Sequence, residues 1–231
     1  MALFRAFRLE QTDPDLFYRL LAADSVAQMS RYTTLRDRTV LDVGGGPGYF
    51  AEAFSAAGAT YHAVESDVGE LAALGNPPPG SVMGDGMRLP VRDDAVDICF
   101  SSNVLEHVPE PIRMADEMVR VTRRDGVVWL SFNSWYAPNG GHETSPWHYL
   151  GGGYARRRYV RRHGREPKNR FGDNLFALRV SEVLAWAHGS STFDVVAAKP
   201  RYHPTWAQWV VRVPVLREVA VWNLLLVLRP R

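Results

Sequence analysis

Residues 40–50, VLDVGGGPGYF, carry the densest chemical signal in the chain: Gly44, Gly45, Gly46 and Gly48 fall within five positions, directly after an apolar run. A glycine turn between a strand and a helix lets backbone approach a ligand where a Cβ would clash. The spacing argues against two common uses of such a turn. In the GxGxxG dinucleotide pattern the third glycine would fall on Tyr49, and no Lys-Ser/Thr pair follows for a phosphate loop. Two carboxylates extend the pattern. Glu65, followed by Ser66, ends the next apolar run, where a carboxylate can accept hydrogen bonds from both hydroxyls of a ribose. Asp85, in GDGMRLP, ends the third run, where it can take a hydrogen bond from an adenine amino group.

These residues need a scaffold that brings strand ends together. TVLDVGGG reads as a short buried strand, TYHAVES, SVMGD, AVDICFSSN and GVVWLSFN as four further strands, and TFDVVAAKP and VWNLLLVLRP as two late ones. Helical stretches lie between them: YFAEAFSAAGA, VGELAALG, PEPIRMADEMVRVTR and, later, NLFALRVSEVLAWAHG. Asp13-Pro14 opens a helical lead-in within residues 1–38. Strands alternating with helices at this spacing predict an α/β fold, a Rossmann-like parallel sheet with helices on both faces. No linker divides the chain, so a single domain over 1–231 is expected.

VLDVGGGPG, then AVES, then GDGMRLPVRDDAVDICFSSNVLEHVPEP resemble, in order and spacing, the class I S-adenosylmethionine (SAM)-dependent methyltransferases of the type 11, UbiE/UbiG-like group. The resemblance runs over residues 40–132. It implies a seven-stranded, mostly parallel sheet with an antiparallel edge strand, and SAM as cofactor. It places Gly44, Gly46 and Gly48 against the methionine end of SAM, Glu65 on the ribose, and Asp85, Gly86 and Met87 at the adenine. Asp42 matches the acidic residue that orients the loop, and Asn103 a position lining the methyl region. Further along, HETSPWHYLGG and the aromatic C-terminal stretch are similar to a narrower actinobacterial branch linked to cell-envelope glycolipids. That likeness implies a hydroxylated small molecule, or a lipid-linked or glycan intermediate, as acceptor.

Residues 133–174 break the alternating pattern and are rich in Gly, Arg, Trp, Tyr and His. A stretch of that length is expected to be a substrate lid that builds the acceptor pocket. A hydroxyl acceptor must lose a proton, and His107, His142 and His148 are the candidate bases; Glu143 stands ready to orient one of them. Capping or packing roles for these histidines stay open. His142, Glu143 and His148 are chemically able to ligate a metal, but their spacing is not HExxH and no further cluster completes a set, so no metal is expected. The run ARRRYVRRHGR suits either a phosphate-bearing acceptor or a solvated helix face. Trp206, Trp209 and Trp222 suit core packing, an apolar tunnel or a membrane-facing surface.

Composition bounds the rest. The 231 residues are 46% hydrophobic and 23% charged, as in a globular domain, and the net charge of +2 gives no field for nucleic acid, so none is expected as partner. The one cysteine, Cys99, lies in an apolar run and predicts a buried thiol in a reducing compartment. MALFRAFRLEQ lacks the unbroken apolar core of a signal peptide. A cytoplasmic protein is expected, with room for contact at the inner face of the membrane; the sequence sets no oligomeric state. Three functions remain open: an O-methyltransferase, a nicotinamide-dependent oxidoreductase (against which Tyr49 argues), and a non-catalytic SAM-binding regulator.

Overall fold

The computed structural model describes residues 13–75 and 77–231, so residues 1–12 of the expected lead-in lie outside the described residues. Helix α1 spans Pro14–Met29; Asp13 caps it by accepting from the Leu16 amide at 3.1 Å, and proline suits its first turn. Seven strands follow the expected runs: β1 Thr39–Val43, β2 Thr60–Glu65, β3 Ser81–Met83, β4 Val96–Ser102, β5 Thr122–Asn133, β6 Phe193–Pro200 and β7 Asn223–Pro230. They form one sheet in the order β3-β2-β1-β4-β5-β7-β6. It is mixed, mostly parallel with antiparallel edge strands. The remaining helices are α2 Tyr49–Ala56, the single turn α3 Val68–Leu71, α4 Pro111–Val121, α5 Gly152–His163, α6 Val180–Gly189 and α7 Leu216–Ala220.

The chain packs as two compact units. The first comprises Met1–Ser101, Ala115–Trp129 and Leu228–Arg231. In it β1 pairs in parallel with β2 and with β4, so that Asp42 stands beside both Ala63 and Phe100. Val40, Phe54, Ala63, Ile98 and Phe100 are fully buried around it. Two buried aspartates in this core behave oppositely. Asp97 accepts from the Thr39 amide at 2.8 Å and from the guanidinium groups of Arg38 and Arg123 at 3.0 and 2.9 Å. Burial would raise its pKa, but the amide and the two cations outweigh it and hold the carboxyl below its usual range. Among the described residues Asp42 has only the Tyr61 hydroxyl, which donates to it at 2.7 Å. Burial therefore dominates and pushes its carboxyl up to about 7, opposed by the Tyr61 bond and reinforced by the nearby Glu65 charge.

The second unit comprises Ser102–Met114 and Leu130–Val227. It contains the 133–174 segment, which is more ordered than its sequence suggests. Gly151, at φ 103°, precedes α5, and Gly164, left-handed at φ 69°, ends it. Three-ten turns cover His142–Thr144 and Trp147–Leu150. The segment has its own core: Trp135, Ala137, His148 and Ala155 are buried. The His148 ring lies 5.3 Å from Trp135, edge-on, with Nε2 3.2 Å from the Ala137 carbonyl. A Cβ on Gly152 would collide with Phe171, whose ring also packs on Trp135 at 4.9 Å. His148 is thus a packing residue, not an accessible base.

Two outcomes follow for stability. Unfolded aspartate ionises near pH ~3.9, whereas folded Asp42 keeps its proton to about 7. Across that window the unfolded chain binds fewer protons, so this residue lowers folded stability as pH rises. Asp97 and Glu117, with depressed pKa values, act in the opposite sense. The difference between Asp42→Asn and wild type isolates the residue: urea denaturation should show the variant gaining roughly 3–4 kcal/mol relative to wild type between about pH 4 and 7. A constant difference would mean that Asp42 is ionised when folded. Second, His148→Ala should cost about 2–4 kcal/mol, from a cavity plus an orphaned carbonyl. Unchanged stability would remove His148 from the core.

Candidate functional site

In the first unit the site is built on the turn after β1. Gly44, Gly46 and Gly48 all have positive φ (77°, 53° and 89°), which side chains larger than glycine rarely adopt. Gly45 is held by contact instead: a Cβ there would lie 3.0 Å from Ala63 Cβ and the Tyr61 hydroxyl and 3.2 Å from Asp42 Cγ. Asp42 therefore supports the turn from beneath and is not exposed to a ligand. A Cβ on Gly48 would strike Pro78 of the proline run, whereas one on Gly46 would meet nothing within 4 Å. Gly46 is thus the turn's open face.

Glu65, at the end of β2, ties this turn to the next. Its Oε2 accepts from the Gly46 amide at 3.0 Å, and its Oε1 from the Ser66 and Asp67 amides at 2.8 and 3.1 Å. A carboxylate offers about four lone-pair directions; Oε1 is occupied by the two amides and the Ser66 hydroxyl at 3.4 Å, so Oε2 keeps the acceptor site open to a ligand hydroxyl. Asp85 accepts from the Met87 amide at 2.8 Å, folding Gly86 and Met87 into a short turn after β3. Because β1, β2 and β3 are parallel, these three turns share one end of the sheet. Tyr49, at the position where the dinucleotide pattern needs glycine, donates to Asp15 at 2.6 Å and stacks on Tyr18 at 4.8 Å. The lead-in helix α1 thereby grips the start of α2, a contact that sequence patterning did not foretell.

Asn103 belongs to the second unit. Its backbone is left-handed (φ 61°), its amide donates to the Ser131 carbonyl at 2.8 Å, and its side-chain oxygen accepts from Asn223 at 2.7 Å. Asn223 also donates to Asn133 at 3.1 Å. The same unit gathers Glu106, His107 and His142, whose ligating atoms all lie within 4.8 Å of one another. Glu106 is buried; its Oε1 accepts from the Asn133 amide at 3.0 Å. Burial raises the Glu106 carboxyl pKa, against the lowering influence of His107 and the Asn133 amide. His107 Nδ1 lies 2.7 Å from the Asn174 carbonyl, and its ring is 5.2 Å from that of His142. Burial, then repulsion from His107 and His148, pushes His142 down to about 4. Two sequence candidates thus meet, joined by Glu106, which sequence reading passed over although it adjoins His107. Glu143 orients neither histidine: it accepts from Asn169 at 3.1 Å.

Two surface features complete the second unit. A cleft of about 290 Å³ is lined by Glu143, Trp147, Arg158, Tyr159 and Arg162, with the Arg158 guanidinium 3.9 Å above the Trp147 ring. Arg156, from the same basic run, is engaged with Glu166 and Asp173 at 2.9 and 3.1 Å. The segment Thr205–Arg212 turns Ala207, Val210 and Val211 inward and exposes Trp206 (78%) and Trp209 (51%), followed by exposed Val215 (78%). These tryptophans are therefore surface groups, not core. No helix among the described residues is long and apolar enough to cross a membrane.

The chain matches the methyltransferase-domain family over residues 41–130, from β1 into β5. It is 52% identical over 241 residues to an uncharacterized methyltransferase of Mycobacterium marinum, covering 100% of this chain and 94% of that one. A similarly described protein of Mycobacteroides abscessus is 50% identical over 243 residues, covering 100% and 93%. The crystal structure of an S-adenosylmethionine-dependent methyltransferase from Mesorhizobium loti has the same fold, with a TM-score of 0.62 at 21% identity over 90% of this chain and 97% of that one. Full-length identity of this order, together with the domain match across β1–β5, places the chain in the methyltransferase family, and the protein is a methyltransferase with the fold of the S-adenosylmethionine-dependent enzymes.

Proposed function

We propose that the chain methylates a hydroxyl group of a small-molecule, lipid-linked or glycan acceptor of the cell envelope, with SAM as methyl donor. The observation that carries the cofactor assignment is the open Gly46 face flanked by Glu65, since it offers backbone approach and a carboxylate acceptor for a ribose hydroxyl together. Gly44, Gly46 and Gly48 receive the methionine portion, Glu65 and Ser66 the ribose, and Asp85, Gly86 and Met87 the adenine. Bound SAM supplies a methyl group on a sulfonium, with a neutral leaving group. The chain's own work is to orient the acceptor, exclude water and assist loss of the hydroxyl proton. Glu106, His107 and His142 are the polar groups gathered to assist that loss. The cleft with Arg158, Arg162 and Trp147 suits an anionic or glycosyl portion of the acceptor, because arginine grips phosphate in bidentate fashion and indole faces stack on sugar rings and cations.

Membrane-linked acceptors also account for the Trp206–Trp209–Val215 ridge. Indole rings beside the exposed Arg212 form the pairing that settles at an anionic bilayer interface, here the cytoplasmic face.

Calorimetry should give a SAM Kd in the micromolar range, about −8 kcal/mol, with no competition from NAD. Glu65→Ala should weaken SAM by roughly 1.5–3 kcal/mol per lost charged hydrogen bond. Gly46→Asn should fold, since asparagine tolerates left-handed backbone, yet lose SAM because its side chain occupies the open face. Normal SAM affinity in both variants would remove this turn from the cofactor site, and NAD binding without SAM binding would end the methyltransferase chemistry proposed. For the acceptor, the protein should co-sediment with phosphatidylglycerol vesicles, and Trp206→Ser/Trp209→Ser should reduce binding at least about tenfold. Lipid and glycan extracts of a strain lacking the protein should lack one O-methyl group. Wild-type protein that stays in the supernatant, with unaltered extracts, would refute the envelope assignment.

A further inference from the structure

We infer that Glu106, His107 and His142 form a binding site for one divalent transition-metal ion of the zinc type. Glu106 and His107 are adjacent on the three-ten turn Leu105–His107 that follows β4, and His142 opens a second such turn 35 residues along the chain. Each donor is presented ready to ligate. The His107 Nδ1 faces the Asn174 carbonyl at 2.7 Å, so the proton resides on Nδ1 and donates there, leaving Nε2 with its lone pair. Histidine ligands of metals are oriented in this way, by a carbonyl behind the ring.

The other two donors carry buried atoms with no partner: His142 Nε2 and Glu106 Oε2. Glu106 is 1% exposed and its second oxygen is already satisfied by the Asn133 amide, so Oε2 is the oxygen left over. An unpaired buried carboxylate oxygen and an unpaired buried imidazole nitrogen each cost free energy. One cation satisfies both at once. The backbone supports the same reading. His142 is left-handed at φ 49°, a conformation costly for a non-glycine residue and concentrated at functional sites. It sets the ring 5.2 Å from that of His107.

The donor set selects the ion. Two imidazoles and one carboxylate, with a coordination position left over, suit zinc or a neighbouring first-row ion. Calcium and magnesium take oxygen ligands and are disfavoured. Ligation at about 2.0–2.2 Å requires the three atoms to draw together by on the order of 1 Å. Sequence spacing had set a metal aside because it grouped His142 with Glu143 and His148; the fold turns Glu143 to Asn169 and His148 to Ala137 and supplies Glu106 and His107 instead. An oxygen ligand in the remaining position gives up its proton to solvent more readily. Use of the ion on an acceptor hydroxyl rests on the methyl-transfer reading above; the binding of the ion does not.

The test is direct titration of the full chain, first stripped with a chelator and dialysed, with zinc chloride by calorimetry and with cobalt chloride by visible absorption. We expect one ion per chain, a zinc Kd at or below about 1 μM, and the d–d bands of four- or five-coordinate cobalt. Glu106→Gln and His142→Ala should each weaken zinc by more than the roughly 10–100-fold lost with a supporting partner. His188→Ala, at an exposed histidine, should leave affinity unchanged. Circular dichroism in chelator checks that the variants fold, and if one does not, the wild-type stoichiometry and cobalt spectrum decide. The absence of saturable one-to-one binding by wild type, six-coordinate cobalt spectra alone, or wild-type affinity in both folded variants would overturn the site. A SAM titration of the same stripped sample reports on the methyl-transfer reading alone, so the two ideas fail separately.

Discussion

The Gly46 amide bonded to the Glu65 carboxylate is the contact on which the geometry of the first unit's turns depends. It joins the turn after β1 to the end of β2, and it exists only because the two strands are in one register. Val43 pairs with Val64, which brings the residues that follow, Gly44 and Glu65, side by side. A slip by one residue would reverse every side chain and send Glu65 to the other face. The turn accepts that carboxylate because three of its residues are left-handed glycines, and it stays shut beneath because Gly45 has no space above Asp42 and Tyr61.

Asp42 and Asp97 show how the same residue type is used in two ways within one core. Asp97 is a clamp, with two guanidinium groups and an amide around it, and it is ionised at low cost. Asp42 has a single phenol and is held nearer to the neutral acid, at a cost that rises with pH. A core designed for stability alone would give that position to an apolar residue of similar volume. Asp42 instead sits beneath the glycine turn, and local destabilisation of this kind is common at functional sites.

What could be read from the sequence followed the range of the interactions. Each strand is a short run bounded by turn residues, a pattern contained in its own few positions; hence β1–β7 and the turns at Gly44, Glu65 and Asp85 were legible, although the pairing of β1 with β4 is not local. Helix α5 was not, because GGYARRRYVRRH is polar on nearly every side and shows no apolar stripe. Its order comes from distant partners, such as Arg156 with Glu166 and Asp173. Likewise His148 and Glu143 looked available only because their partners, Ala137 and Asn169, lie 11 and 26 residues away. The Glu106–His107–His142 group was hidden for the same reason: Glu106 and His107 are neighbours, but His142 lies 35 residues further on and is brought to them by folding.

That difference bears on where acceptor choice is encoded. The domain match ends at residue 130, and the later residues supply the arginine cleft, the tryptophan ridge and His142. Folds of this type serve many acceptors, so the fold-level match through β5 specifies the donor and says little about the acceptor. The mycobacterial relatives, however, align with 100% of this chain and 93–94% of their own length. The second unit is therefore part of what they share, not a private addition to this chain. The proposed acceptor groups therefore divide between the two parts of the chain: Glu106 and His107 lie inside the domain match, whereas His142, the arginine cleft and the tryptophan ridge lie beyond it, in residues that the full-length relatives also align with.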